Sequence, residues 1–535
     1  MVFKINKEFK SIYRRLIPYL LLFYLCIWQS FALLKAEETM SLQYLSIVSG
    51  FVVYFLLIQI NQKLFKAVLI FSFLLSLLVY PTQYVYGSFD KNLISSLLFT
   101  NAGEASSYIK VVPLNVYINL ILLLILTIAL LKLKFRKVKN IYLTWGAAIY
   151  LLIPPVVYFF SGDRKEFRDI DRLKLQIGYT HIPILKIPLL AVLESYQVIQ
   201  ANDKISAQAK LPCKWKIINQ GDYKLKRNIV VVIGESVRKD FWHNYGFPIG
   251  NTPFTDSTPH LRFDHFISAG AYTVASLIRT IVYTKNLSRP PRLSDNIVNL
   301  AKIAGYKTYW ISNQGYLGIY DSPISTIAEA SNEYYKFNGG DFHMAKMDKD
   351  MLPLISKVLK TDTVPKVIFI HMIGSHPNVC DRTGWQYDQF VLSNAVSCYI
   401  KSIKNTDAFL SAIYHDLLET QRSFGLIYFS DHGLKINEDL DMVHGQKTKE
   451  AHDVPLLIWD NTIDSTRHFS AYRNGKDFLS LFCGLYGIKT SNITTTVPFL
   501  SEIPVGDSVF RVVEDGDEIF DYRKLEPNPI PELKQ

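Results

Sequence analysis

Apolar residues are unevenly spread along this chain. Before residue 161 they gather into five long runs, Ile17–Leu34, Leu42–Ile60, Leu64–Tyr80, Val112–Leu131 and Ile141–Phe160. Each approaches the ~20 residues that a helix needs to cross a bilayer, and Leu64–Tyr80 is the shortest. Lys4, Lys7, Lys10, Arg14 and Arg15 precede the first run. No small-residue cleavage site accompanies it, so it reads as a retained helix and not as a signal peptide. Lys63 and Lys66 lie in the second loop, and Lys132, Lys134, Arg136, Lys137 and Lys139 in the fourth. The alternate loops hold Lys35, Lys91 and Lys110. The positive-inside rule therefore puts the N-terminus in the cytoplasm, and five crossings place everything after Phe160 on the opposite side.

Residues 162–209 read as a connector. Arg164, Lys165, Arg168, Arg172 and Lys174 are followed by the apolar stretch IPILKIPLLAVL. That pairing suits a helix lying on a membrane surface, or equally a solvated linker with a short buried helix. From about residue 210 the pattern changes to short apolar strands alternating with helical stretches. The strands fall at Asn228–Ile233, Lys307–Ile311, Lys366–His371, Phe424–Phe429 and Pro455–Trp459. This alternation predicts an α/β domain with a largely parallel central sheet. The expected organisation is a five-helix transmembrane domain over 1–161, the connector over 162–209, and the α/β domain over 210–535.

Charge and cysteine content refine this picture. The 535-residue chain carries 58 Lys+Arg against 47 Asp+Glu, a net charge of +11. Much of the excess flanks the apolar runs, which favours anionic lipid over nucleic acid as a partner. Zinc-finger spacing and basic helices with interleaved aromatics are absent from the sequence. Of five cysteines, Cys26 lies within an apolar run, while Cys380 and Cys398 are close together in the second half. Export would allow a Cys380–Cys398 disulfide; the alternative is five reduced, buried thiols.

In a parallel α/β sheet, ligands bind beyond the carboxyl ends of the strands. Gly234 and Glu235 follow the first strand, and Gly374, Ser375 and His376 the third. Ser430, Asp431, His432 and Gly433 follow the fourth, with His444 one loop later. Glu, Asp and His ligate zinc and other divalent metals, so acids and imidazoles at one sheet edge point to a metal site. Singly, each residue has a plainer explanation, such as a helix cap or a packed imidazole. The segment ISAGAYTVASLIRT places Thr273 near a helix start, where N–H groups and the helix dipole favour anions. A hydroxyl beside a metal there is a candidate nucleophile, although an ordinary helix cap is the simpler reading of this segment alone.

Together the motifs VVVIGESVRKDFWHNYGFP, SAGAYTVAS, HMIGSHPNVC, YFSDHGL and HGQ resemble the alkaline phosphatase/sulfatase superfamily, and within it the bacterial inner-membrane phosphoethanolamine transferases. The resemblance implies a zinc-dependent enzyme with its catalytic domain in the periplasm. It would move phosphoethanolamine from phosphatidylethanolamine to a lipopolysaccharide sugar, in the inner core (Kdo) or lipid A. Residue by residue, it assigns Glu235, Thr273, Asp431 and His432 to zinc, with Thr273 also the nucleophile. His376 and His444 match histidines around the phosphoryl group or a second zinc. Within LLFTNAGEASS, Thr100 and Glu104 match a donor-binding segment, and Asn313 and Gln314 align more loosely with the same site. Lipid A-modifying relatives flank the nucleophile with paired cysteines, where this chain has Ala269 and Arg279. The Cys380–Cys398 pair is closer to the Kdo-modifying branch.

Two other readings remain at this point. One keeps the fold and changes the reaction, to a glycerol-phosphate transferase, a phosphodiesterase or a sulfatase. The sulfatase is disfavoured because the signature C/S-x-P-x-R is missing, with Thr at 273 and Ala at 275. The other reading is a non-enzymatic membrane sensor with a structural metal. Closed structural sites favour cysteine-rich ligands, unlike this Glu/Thr/Asp/His set.

Overall fold

A computed structural model describes residues 7–34, 40–86, 112–138, 140–160, 181–209, 211–219, 228–287, 291–314, 323–337, 346–361, 363–445, 447–493, 497–514 and 518–533. It divides into two compact units, Met1–Ala201 and Asn202–Gln535.

The first unit is helical: α1 (Lys7–Leu33), α2 (Met40–Ile60), α3 (Gln62–Tyr86), α4 (Leu114–Lys132), α5 (Ile141–Phe160) and α6, which starts at Pro183 and continues to Ala209. Local chemistry sets two of the starts. The Asn61 side chain accepts hydrogen bonds from the Lys63 and Leu64 amides, and Asn140 does the same for Tyr142 and Leu143. Each thereby caps amides that have no partner inside the helix. Tyr54, Ile58, Phe65, Leu123 and Leu130 are buried between helices, whereas Leu20, Leu78, Ile121 and Ile125 face outward. Apolar side chains on both faces mark helices made for lipid. Among the described residues four helices are long and apolar enough to cross a membrane: Leu16–Leu33, Ser41–Ile60, Gln62–Tyr84 and Leu114–Lys132. The run at Leu64–Tyr80 thus belongs to a longer helix than its apolar core suggests. In α5 the apolar stretch of described side chains is shorter, Ile141–Ile153. The apolar connector segment lies in α6, and its basic part falls outside the described residues.

The second unit is built on an eight-stranded sheet. Its strands are β1 (Asn228–Gly234), β2 (Leu261–Phe263), β3 (Lys307–Ser312), β4 (Glu333–Lys336), β5 (Lys366–His371), β6 (Phe424–Ser430), β7 (Leu456–Asp460) and β8 (Arg467–Phe469). They lie in the order β8-β2-β7-β6-β1-β5-β3-β4. The run from β6 to β4 is parallel throughout, while β7 is antiparallel to both neighbours. The sheet is therefore mostly parallel, and the strand expected at Pro455–Trp459 is the one that reverses. Every residue of β1 is buried, because helices cover both faces; this explains its unbroken apolar sequence. On one face Val231 and Ile233 pack in a core with Leu277, Ile297, Leu300 and Phe482. On the other, Val230 and Val232 share a core with Ile355, Tyr399, Ile403 and Leu410.

Register decides where the chemistry emerges. Gly234 pairs with Ser430, and Ile233 with His371. The carboxyl ends of β1, β5 and β6 are thus level, and the loops after all three leave at one edge. Cys380, in the loop after β5, is disulfide-bonded to Cys398 in helix Asn394–Glu419, with Cα atoms 5.0 Å apart.

Candidate metal centre

Glu235 directly follows β1, and Asp431 and His432 directly follow β6. All three are fully buried, and their ligand atoms lie within 4.8 Å of one another. His432 Nε2 is 3.3 Å from Glu235 Oε1 and 3.6 Å from Asp431 Oδ2. Thr273 Oγ1 is 3.4 and 3.3 Å from the two Glu235 oxygens and 3.4 Å from His432 Nε2. These separations are long for charge-assisted hydrogen bonds. They match the ~3.4 Å between ligand atoms that each sit ~2.1 Å from a tetrahedral zinc.

The surroundings orient these atoms toward a common point. Asp431 Oδ1 accepts from the Ser236 and His432 amides, at 3.0 and 2.7 Å. Asp431 Oδ2 is buried without a hydrogen-bond partner, an arrangement that is costly unless a cation meets it. His432 Nδ1 faces the Gly433 carbonyl at 2.8 Å, which makes Nδ1 the donor and leaves Nε2 for a ligand. Ser236 holds the turn at φ +63°, and its hydroxyl donates to Glu235 Oε1 at 2.8 Å. Such a backbone costs about 1–3 kcal/mol and persists where the surroundings over-determine it. The electrostatics agree. Burial and the neighbouring Glu235 carboxylate push the Asp431 carboxyl up to about 8. Burial opposes the charge on Glu235, yet the His432 imidazole holds its carboxyl below the usual range. Burial disfavours imidazolium at His432, but Asp431 and Glu235 outweigh it and raise that ring to about 9. At neutral pH these shifts leave a proton on Asp431 and a second one on His432 beside the Glu235 carboxylate, and a divalent cation bound here would take the place of both protons.

Thr273 is the first residue of α7 (Thr273–Thr280) and is half-buried. Close packing seats the helix: a Cβ on Gly270 would come within 2.7 Å of the Ala275 backbone. One turn along, Ser276 donates to the Asp431 carbonyl at 2.6 Å, and Ser268 contacts the same oxygen. His376 and His444 complete the outer side. The His444 ring lies 5.9 Å from His376 and 5.6 Å from His432, centroid to centroid. Burial pushes the His376 imidazole down to about 4, so it is neutral at pH 7.

The remaining candidates divide. Gln314 Nε2 donates to Glu235 Oε2 at 3.0 Å and to the Met372 carbonyl at 2.6 Å, so it braces the carboxylate directly. Asn313 turns to the Lys346 carbonyl and Asp348, both at 2.9 Å. Asp348 in turn accepts from the Ile373 and Gly374 amides, fixing the loop that carries His376. Thr100 and Glu104 lie outside the described residues. The sequence pattern points to Ser276 along with Thr273, but does not single out Ser236, Ser268 or Asp348. Ser236 sits within the GES motif, but Asp348 follows no strand end and has no local signal.

A sheet with buried acids and an imidazole at its carboxyl edge, and a half-exposed threonine over them, defines a sulfatase-type hydrolase or transferase fold. Residues 227–488 match the Sulfatase family model. Phosphoethanolamine transferase OpgE of Escherichia coli (strain K12) is 32% identical over 445 residues, covering 81% of this chain and 82% of that protein. The chain belongs to the phosphoethanolamine transferase family. Its fold is shared with two solved structures. The integral membrane lipooligosaccharide phosphoethanolamine transferase A from Neisseria meningitidis aligns over 88% of this chain and 96% of its own, with a TM-score of 0.55 and 16% identity. The C-terminal periplasmic domain of EcEptC from Escherichia coli, in complex with Zn, aligns over 59% of this chain and 97% of its own, with a TM-score of 0.51 and 20% identity.

Proposed function

We propose that this protein is an inner-membrane enzyme whose periplasmic domain moves phosphoethanolamine from phosphatidylethanolamine to a lipopolysaccharide sugar, by way of a covalent Thr273 adduct. The observation that carries the reading is the position of Thr273 Oγ1, 3.3–3.4 Å from Glu235 and His432 at the start of a helix. A zinc ion held by Glu235, Asp431, His432 and Thr273 would lower the pKa of the hydroxyl and offset phosphate charge. The Thr273 oxygen attacks phosphorus, and the bond from phosphorus to the diacylglycerol oxygen breaks. The departing oxygen takes a proton. An acceptor hydroxyl then attacks the adduct, loses its proton and frees Thr273. His376, neutral at pH 7, is placed to move these protons or to donate a hydrogen bond to the phosphoryl oxygens, and His444 stands beside it. By the sequence resemblance, Glu104 is assigned to the ethanolamine ammonium and Thr100 to the same donor-binding segment.

Support for the acceptor comes from the sequence resemblance: the Cys380–Cys398 pair, and Ala269 and Arg279 at the places that match paired cysteines in lipid A-modifying enzymes. These favour an inner-core sugar such as Kdo over lipid A. Two measurements test the reading. Intact-mass analysis should find a phosphoethanolamine adduct on the wild type and none on Thr273→Ala, which should lose transfer. A Thr273→Ala variant with near-normal transfer would exclude the covalent route. Mass spectra of envelope glycans from cells with and without the protein should differ by one phosphoethanolamine on the inner core; a difference confined to another glycan would move the acceptor and leave the chemistry standing.

A further inference from the structure

His452 and Glu514 form a fully buried pair that the reaction above does not use, with His452 Nε2 2.9 Å from Glu514 Oε1. The other ring nitrogen, Nδ1, faces the Ser268 carbonyl at 3.1 Å. Both ring nitrogens thus meet oxygens, the Ser268 carbonyl on one side and the Glu514 carboxyl on the other. The second carboxylate oxygen of Glu514 accepts from the Lys447 amide at 3.0 Å.

Three segments converge on this pair. One leads into Thr273: Ser268 donates its amide to the His452 carbonyl at 2.8 Å, and its hydroxyl contacts the Asp431 carbonyl and Ser276. The second carries Lys447, three residues after His444; its φ is +56° and its amide donates to Glu514. The third is the strand Arg511–Val513. Val513 donates to the Ala269 carbonyl at 2.9 Å and accepts from the Ala271 amide at 3.1 Å, two residues before the nucleophile.

We infer that the His452–Glu514 pair is a positioning device for the transferase centre: through Ser268 and Lys447 it holds the Thr273 segment and the His444 loop in register with the Asp431 loop. The inference rests on the phosphotransfer reading above. A displacement of ~1 Å between reacting groups is enough to lower turnover about 100-fold, so a rigid tie here acts on kcat. An interaction of this kind shapes the reacting geometry without touching the donor, which leaves KM unchanged.

The test uses two substitutions in the full-length, detergent-solubilised protein, because emptying a buried ionic pair endangers the fold. In Glu514→Gln, the amide oxygen can accept from Lys447 and the amide nitrogen can donate to a neutral His452, which still donates to Ser268. All hydrogen bonds survive, and kcat should stay within about threefold of wild type. In Glu514→Asp the charge remains but the side chain is one methylene too short to reach both partners. Its kcat should fall by about tenfold or more per folded, zinc-loaded molecule, with donor KM within about twofold and zinc content unchanged. Wild-type kcat in Glu514→Asp, an equal loss in Glu514→Gln, or a loss that falls on KM would overturn the inference. Failure of the phosphotransfer reading shows separately, as a missing Thr273 adduct in the wild type.

Discussion

Asp431 shows how far one side chain reveals a site. Its Oδ1 accepts two amide hydrogens, while its Oδ2 is buried with no donor, beside the carboxylate of Glu235 and the imidazole of His432. Leaving an acceptor bare in a dry interior costs about 1–3 kcal/mol, more when it is charged. The fold accepts that cost where a cation repays it. His432→Ala and Glu235→Gln should therefore lose bound zinc and transfer together, checked by metal analysis and activity on the same sample. His376→Ala and His444→Ala should keep most of the zinc and lose about 100-fold or more in turnover, as general acid–base or hydrogen-bonding groups do. Gln314 separates two roles. If it braces Glu235, Gln314→Ala should weaken zinc affinity by about tenfold, as removal of groups that orient metal ligands does. An unchanged zinc affinity with a raised donor KM would return it to the donor-lining role.

At the scale of elements, the loop after β5 is held from both ends. Gly374 has φ +48°, and a Cβ there would lie 2.9 Å from the Glu235 carbonyl oxygen, so the turn depends on glycine. Beyond His376, the Cys380–Cys398 bridge ties the loop to the helix that starts at Asn394, whose first turn is capped by Ser393. Both sulfurs sit in buried positions. A bridge spanning 18 residues limits the unfolded chain by about 3 kcal/mol in the entropy model. The double variant Cys380→Ser/Cys398→Ser should lose roughly 2–4 kcal/mol of stability, measured by denaturant unfolding of the purified protein. Wild-type protein under reductant should behave alike, and unchanged unfolding in both would show that the bridge contributes nothing.

At the scale of the whole molecule, function depends on which side of the membrane the second unit occupies. Basic residues cluster at the N-terminus and in alternate loops; the four spanning helices together with a crossing by α5 would export the second unit. A phosphatase reporter fused after Gln535 should be active, and one fused after Lys137 inactive. The reverse pattern would put the centre in the cytoplasm, away from an envelope glycan and from disulfide-forming conditions. If α5 lies along the membrane and does not cross it, both fusions would be inactive. That would remove the periplasmic reading while leaving the metal centre intact.

The apolar runs by themselves located α1 to α5 of the first unit and five strands of the second, because an apolar environment on both faces writes an unbroken hydrophobic stretch into the local sequence. Strand ends then located Glu235, Asp431 and His432, since a chain leaving a parallel sheet at its carboxyl edge has few other places to put acids and imidazoles. The tertiary structure decided the rest. Strands β2, β4 and β8 have three or four residues, too few to carry a period, and the reversal of β7 depends on its partners alone. Gln314 meets Glu235 across 79 residues, and His452 meets Glu514 across 62. Those pairings come from the level register of separate strands and from the return of the C-terminal segment. Neither leaves a trace in the residues nearby, because a polar side chain buried by a distant partner looks, in sequence, like one facing water.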